Sequence, residues 1–89
     1  MITYLEGEIK YIGDGFIEIS CGGIGYKVFC PQKTLGAYSI SEKADIFTHL
    51  HVRENALDLY GFKTRDELNF FKILINISGI GPKSGMGII

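Results

Sequence analysis

The stretch ALDLYGFKTRDELNFF, residues 56–71, changes its period halfway through. Up to Phe62 it reads as a short strand that ends near a glycine. From Thr64 onward it reads as a helix. Thr64 and Glu67 have the spacing of a capping box, in which the hydroxyl and the carboxylate satisfy backbone N–H groups that a helix start leaves open. Leu68, Phe71, Leu74 and Ile75 then recur at helical spacing, which predicts a helix to about Ile77. The chain therefore divides into a β part, residues 1–63, and a helical part, residues 64–89.

On the N-terminal side, residues 2–12 read as one long strand bent at Gly7, because a glycine inside a strand often marks a bulge or a sharp barrel bend. Residues 13–15, GDG, make a turn. FIEISC, residues 16–21, alternates Ile17, Ile19 and Cys21 with Glu18 and Ser20, the period-two pattern of a half-buried strand. Gly22-Gly23 is a hairpin turn. Ile24, Tyr26, Val28 and Cys30 share one face of the next strand, which Pro31 ends. Residues 32–43 form a polar connector with room for one helical turn. Residues 44–53 are the fourth strand, with Ile46, Leu50 and Val52 on one face and Phe47, His49 and His51 on the other. Glu54-Asn55 is a tight turn into the fifth strand. Five short strands with a helix-like insertion between the third and fourth predict a small closed barrel of the oligonucleotide-binding (OB) type. The fold class is mainly β with C-terminal α.

On the C-terminal side the chain closes with NISGIGPKSGMGII, residues 76–89. Gly79 and Gly81 are expected to use backbone angles closed to other residues. Pro82 suits the first turn of a new helix, where its missing N–H costs nothing. The N–H groups and dipole at that helix start favour an anion, and Lys83 stands beside them. The motif predicts a phosphate seat that reads no bases. Gly85 and Gly87 predict a weak second helix, since glycine disfavours helix by about 1 kcal/mol. Met86, Ile88 and Ile89 are expected to face parts of a larger helical domain.

The bulk numbers set the class. The chain has 89 residues, 46% hydrophobic and 21% charged, with a formal net charge of −1. That balance suits a folded domain and argues against one that binds nucleic acid by total charge, so any such contact must be local. No apolar run approaches the roughly 20 residues of a membrane span, and the N-terminus lacks the apolar core of a signal peptide, so a cytoplasmic protein is expected. Cys21 and Cys30 would lie at opposite ends of a hairpin strand and are expected to be buried free thiols. His49 and His51 have a possible metal-ligand spacing without a third ligand, so no metal site is expected. Tyr4, Tyr11, Tyr26, Phe29 and Phe47 could offer stacking surface for bases, but core and interface roles suit them better. No nucleophile–base pair or carboxylate constellation suggests an enzyme, and no cofactor is expected.

The order of MITYLEGEI, GGIGYKV, FTHLHVREN, LYGF, a capped helix and GIGPK resembles the RuvA family of Holliday-junction-binding subunits, over the whole chain. The resemblance implies a non-catalytic DNA-binding subunit that recognises four-way junctions and supports branch migration driven by RuvB, an ATPase. It implies assembly as a homotetramer or a double tetramer. Residues 1–63 would be the OB-fold domain, and residues 64–89 the start of a helix-hairpin-helix domain that continues in the family beyond this point. Ser78, Gly79, Gly81 and Lys83 would contact DNA phosphates. Glu54 and Asn55 would occupy the family's acidic pin, where Asn55 replaces the usual second acid. Relatives tend to carry alanine at positions 85 and 87. The competing reading is a general single-stranded nucleic-acid binder that uses the barrel face.

Overall fold

The computed structural model describes residues 1–77 and 79–89. Five strands, β1 (Tyr4–Ile12), β2 (Phe16–Cys21), β3 (Ile24–Phe29), β4 (Lys43–Arg53) and β5 (Ala56–Phe62), close into a barrel in the order β1-β2-β3-β5-β4. A single helical turn, α1 (Gln32–Gly36), fills the connection between β3 and β4. Two helices follow the barrel, α2 (Arg65–Ile75) and α3 (Pro82–Ile88). The expected OB-type barrel and its helical extension are both present.

Most neighbours in the barrel are antiparallel. The closing seam is parallel and short, with Val28 opposite Leu59 and Phe29 opposite Tyr60. β1 serves two partners. Its first half, Tyr4 to Glu8, pairs with β4, and its second half pairs with β2. Gly7 sits where it changes over, and a Cβ there would lie 2.0 Å from the Ser20 carbonyl oxygen. No side chain fits such an approach, which accounts for a glycine at position 7. The irregularity of register lies further on, between Ile9 and Tyr11. The Gly22-Gly23 turn has φ +60° and +87°, the left-handed pair that matches the twist of a two-residue hairpin.

Alternation fills the core. Leu5, Ile9, Ile17, Ile19, Val28, Ile46 and Leu59 point inward with Cys30. Two features of the core are not apolar alternation. Thr48 takes an inward position on β4 and is buried, and its hydroxyl donates to the Ile2 carbonyl at 2.7 Å. The connector expected to be polar places Leu35 and Tyr38 in the core, with the Tyr38 hydroxyl donating to the Asp45 carbonyl at 2.9 Å. The two cysteines also differ from each other. Cys30 is buried, whereas Cys21 is only half-buried.

The Thr64 side chain caps α2 by accepting from the Glu67 N–H at 3.1 Å. The Glu67 carboxylate instead meets Lys33 of α1 at 2.6 Å, so the capping box is used on one side and the acid ties two helices together. The apolar stripe of α2 lands on a second cluster, Tyr60, Phe62, Leu68 and Phe71. Phe71 is its centre, with ring centroids 4.8 Å from Phe62, 5.5 Å from Tyr60 and 6.0 Å from His49. Met86 and Ile89 of the last segment pack against this same cluster. They were expected to face parts of a larger domain; only Ile88 of the three is exposed. Gly85 is buried, and a Cβ there would meet Phe71 at 3.3 Å and Ile75 at 3.4 Å. The glycine thus brings α3 close against α2.

Candidate nucleic-acid interface

Two turns carry the predicted site. The first joins β4 to β5. The ladder runs unbroken from Phe47–Phe62 to Arg53–Ala56, so the register alone carries Glu54 and Asn55 out to the tip. Both are exposed. Val52 and Leu57, paired beside the tip, are 64% and 71% exposed, which shows that the hairpin has left the barrel wall by this point. Beside the tip, Arg53 donates to Asp58 at 2.9 Å. Among the described residues Glu54 joins no ion pair. Neither Glu54 nor Asn55 takes a positive φ, so the turn does not draw on the tolerance of asparagine for left-handed backbone.

The second turn joins α2 to α3. Asn76 ends α2, and its side-chain amide donates to the Lys72 carbonyl at 2.9 Å. Ser78, a predicted phosphate contact, lies outside the described residues. Gly79 has φ +88°, where an L-residue is strained. Gly81 departs from expectation. It caps α3 at φ −90° and ψ 175°, extended backbone open to any residue, and a Cβ there would meet nothing within 4 Å. The backbone need for glycine therefore belongs to Gly79 and not to Gly81. Pro82 occupies the first turn of α3 as predicted, and the first helical bond runs from the Gly85 N–H to the Gly81 carbonyl. The N–H groups before it, on Lys83 and Ser84, have no acceptor within the helix by construction of a helix start.

The fold brings residues flanking these two turns to one groove. It has a volume of about 600 Å³, and its walls include Asp14, Arg53, Asp58, Gly81, Lys83 and Ser84. Lys83 from the helical hairpin and Arg53 from the base of the acidic turn thus line a single depression. Gly79 is not among the lining residues, nor are Glu54 and Asn55, which stand at the tip beyond Arg53. Arg53 and the groove itself were missed from the sequence, where REN reads as a solvated turn. A depression of similar size between β1 and β4 carries Glu6, Glu8 and Asp45 around Lys43, and its negative sign is wrong for a phosphate backbone.

The groove also holds Cys30, whose thiol lies 3.5 Å from the Val28 carbonyl and is pushed up to about 12 by burial. It stays protonated at neutral pH and is a poor nucleophile. His49 and His51 lie 6.1 Å apart, and among the described residues no group of three metal-binding side chains forms. Burial, then His51 and Lys72, hold the His49 imidazole below its ordinary range. The chemistry on offer is reversible contact with charge.

Comparison with known proteins gives this geometry a lineage. The family model described as the RuvA N terminal domain matches residues 1–61. A protein of Brevibacillus brevis named Holliday junction branch migration complex subunit RuvA is 47% identical over 89 residues, all of this chain and 43% of the relative. Proteins of the same name are 44% identical in Bacillus velezensis, over 43% of the relative, and 46% identical in Oenococcus oeni, over 45% of it, each across the whole chain. The chain spans somewhat less than half the length of these curated relatives. A barrel of this order, with the family model over residues 1–61 and relatives up to 47% identical across the whole chain, places the chain in the RuvA N-terminal domain family.

Proposed function

We propose that this chain is the N-terminal part of a non-catalytic DNA-binding subunit that recognises four-way junctions and supports branch migration in recombination and repair. The observation that carries this reading is the groove. It brings Lys83, which joins no ion pair among the described residues, to the same depression as the Arg53–Asp58 pair at the base of the turn that presents the carboxylate of Glu54. Phosphates of a duplex arm would be drawn to Lys83 and to the free N–H groups of the α3 start, contacts that position DNA without reading sequence. Glu54 would repel the phosphates that crowd at the crossover, because like charges in a confined site raise the energy sharply. Attraction and repulsion a short way apart suit a branched substrate better than a straight one.

The same reading carries its partners. They are Holliday junction DNA, RuvB as the ATP-driven motor, and further copies in a homotetramer or double tetramer, in the cytoplasm and without a cofactor. No helix among the described residues is long and apolar enough to cross a membrane.

The test is a gel-shift titration of a form extended to the relatives' full length. A four-way junction is expected to bind more tightly than a linear duplex or single strand of the same sequence, with affinity falling as salt rises through counterion release. Glu54→Gln should leave junction binding equal or tighter, and Lys83→Ala should weaken it. Preference for the single strand would put a general single-strand binder in its place. That second reading has one observation in its favour, a row of aromatic rings on the outer barrel face.

A further inference from the structure

The groove has two walls with different owners. Phe29 and Cys30, where β3 ends, belong to the barrel, and Gly81, Lys83 and Ser84 belong to the helical hairpin. Any contact made by Lys83 depends on what fixes the second wall against the first. The ring stack under Gly85 presses the hairpin onto the barrel. Apolar contact is non-directional, however, and a helix that rests on rings alone is free to roll about its axis.

Two polar contacts oppose that roll. α1 starts directly after the barrel wall, with Pro31 as its N-cap. Its Lys33 reaches Glu67 in the first turn of α2. Lys63, next to the Thr64 cap, holds its ammonium 5.6 Å from the ring centroid of Tyr38, in the connector that follows α1. The segment between β3 and β4 thus clasps the entry of α2 at two points. The first is the stricter one. Glu67 is held at both ends, its N–H by the Thr64 hydroxyl and its carboxylate by Lys33. The Glu67 side chain is only 20% exposed. Its Oε2 meets Lys33, while Oε1 is buried with no hydrogen-bond partner among the described residues. The hydroxyl oxygen of Thr34, the next residue of α1, is in the same condition. If α2 rolls, a largely covered carboxylate loses its cation, which costs more than parting an exposed pair. A charge-assisted bond also demands a fixed direction, which apolar packing does not.

We propose that Lys33 and Glu67 are positioning residues for the phosphate contact of Lys83. Their ion pair sets the roll of α2, and with it the place of Lys83 on the far wall of the groove. The inference rests on the proposed DNA reading for what Lys83 touches, but not for how it is held.

Hydrogen exchange on the 89-residue chain reads the holding without DNA. Lys33→Gln should speed exchange of the α2 and α3 amides roughly fivefold to tenfold, at or above the top of the range for an exposed pair. The β4–β5 ladder should exchange as before, and Lys33→Arg, which keeps the charge, should exchange like the parent. A gel-shift salt series on the form extended to the relatives' full length reads the contact. Lys33→Met combined with Glu67→Met keeps the net charge and replaces the pair by apolar groups, a change often neutral or favourable for stability. This double variant should melt like the parent or higher and bind a four-way junction more weakly. Its slope of log affinity against log salt should fall by about 0.9 per bound copy, the loss of one duplex phosphate. In a Lys83→Ala background the same change should lower the slope no further. The proposal is overturned if Lys33→Gln exchanges like the parent, or if the double variant keeps the parent's salt slope. It is equally overturned if the slope falls as much with Lys83→Ala as without it, which would make Lys33 itself the DNA contact. Failure of the junction reading looks different. The extended parent would then show no preference for the junction over a linear duplex, while exchange and the same slope comparison on the duplex would still decide for or against the pair.

Discussion

Arg53 at the base of the acidic turn and Lys83 beyond the glycine turn line one groove, but the two turns are held by different forces. Glu54 and Asn55 are placed by an unbroken antiparallel ladder that ends at Arg53–Ala56. Hydrogen bonds and register do the positioning, and little side-chain burial supports the tip. Lys83 is placed by packing. Its helix reaches the groove because Gly85 rests on Phe71, which rests in turn on Tyr60 and Phe62 of the barrel. A charge placed by a ladder is insensitive to distant core changes. One placed by a stack of rings is sensitive to each ring in the stack.

The sharpest way to break this comparison is Phe71→Ala. Loss of a buried phenylalanine costs about 3–5 kcal/mol, a large share of the stability of a small domain. Hydrogen exchange should show α2 and α3 losing protection while the β4–β5 ladder keeps most of its own. Equal loss in both regions would mean that the two turns are not independently supported.

The next effect separates the two glycines of the hairpin. Gly79→Ala forces a side chain into the left-handed region and should cost about 1–2 kcal/mol in a denaturant melt. Gly81→Ala should cost less, since its backbone is open and a Cβ meets nothing, leaving only the poorer fit of alanine to a helix cap. If Gly81→Ala nonetheless weakens DNA binding in the extended form, close approach of a phosphate is the remaining reason for glycine there.

Within α3, Gly87→Ala should gain up to about 1 kcal/mol from helix propensity, because a Cβ at that position stands in open space. Gly85→Ala should gain less, because its Cβ would press on Phe71 and Ile75. Thermal melts of the two variants side by side test the order.

The smallest effect is a pH dependence at the seat of the ring stack. His49 has its folded pKa lowered below the ordinary 6.5 by burial, then by His51 and by Lys72 on α2, with a further contribution from the N-terminus. The unfolded chain therefore takes up the proton first as pH falls. Stability from this source is complete above about 6.5 and declines below it. The melting temperature should fall gently on acidification through that range, and His49→Gln should flatten the slope.

Much of this was legible in local pattern. Alternation at Ile17 and Ile19 and the capped period change at Thr64 needed only neighbours in sequence. What was not legible depended on partners far along the chain. Thr48 looks polar until Ile2 supplies its acceptor. Tyr38 looks like part of a polar connector until the Asp45 backbone carbonyl accepts a hydrogen bond from its hydroxyl. Gly85 looks like a helix weakener until Phe71 lies beneath it. For the candidate site, the residue types were readable in GIGPK and REN. Their meeting was not, since Arg53 and Lys83 are thirty positions apart and only the ring stack brings them to one groove.

The short parallel seam has a further consequence. β3 meets β5 through two residue pairs only. The rest of β3, from Ile24 to Lys27, hydrogen-bonds to β2 alone, and Ala56 to Asp58 of β5 to β4 alone. The barrel is therefore zipped at one end and split at the other, leaving two half-strands with unpaired backbone edges. Such edges are templates for strand addition by another chain. Ile24, Val52 and Leu57, all exposed near the split, would favour such sticking. Gly25 offers no side chain to a would-be partner, and Lys27 brings a charge that must be desolvated before one can dock. The split end is thus where self-association would begin if these two residues were replaced by strand-forming apolar ones.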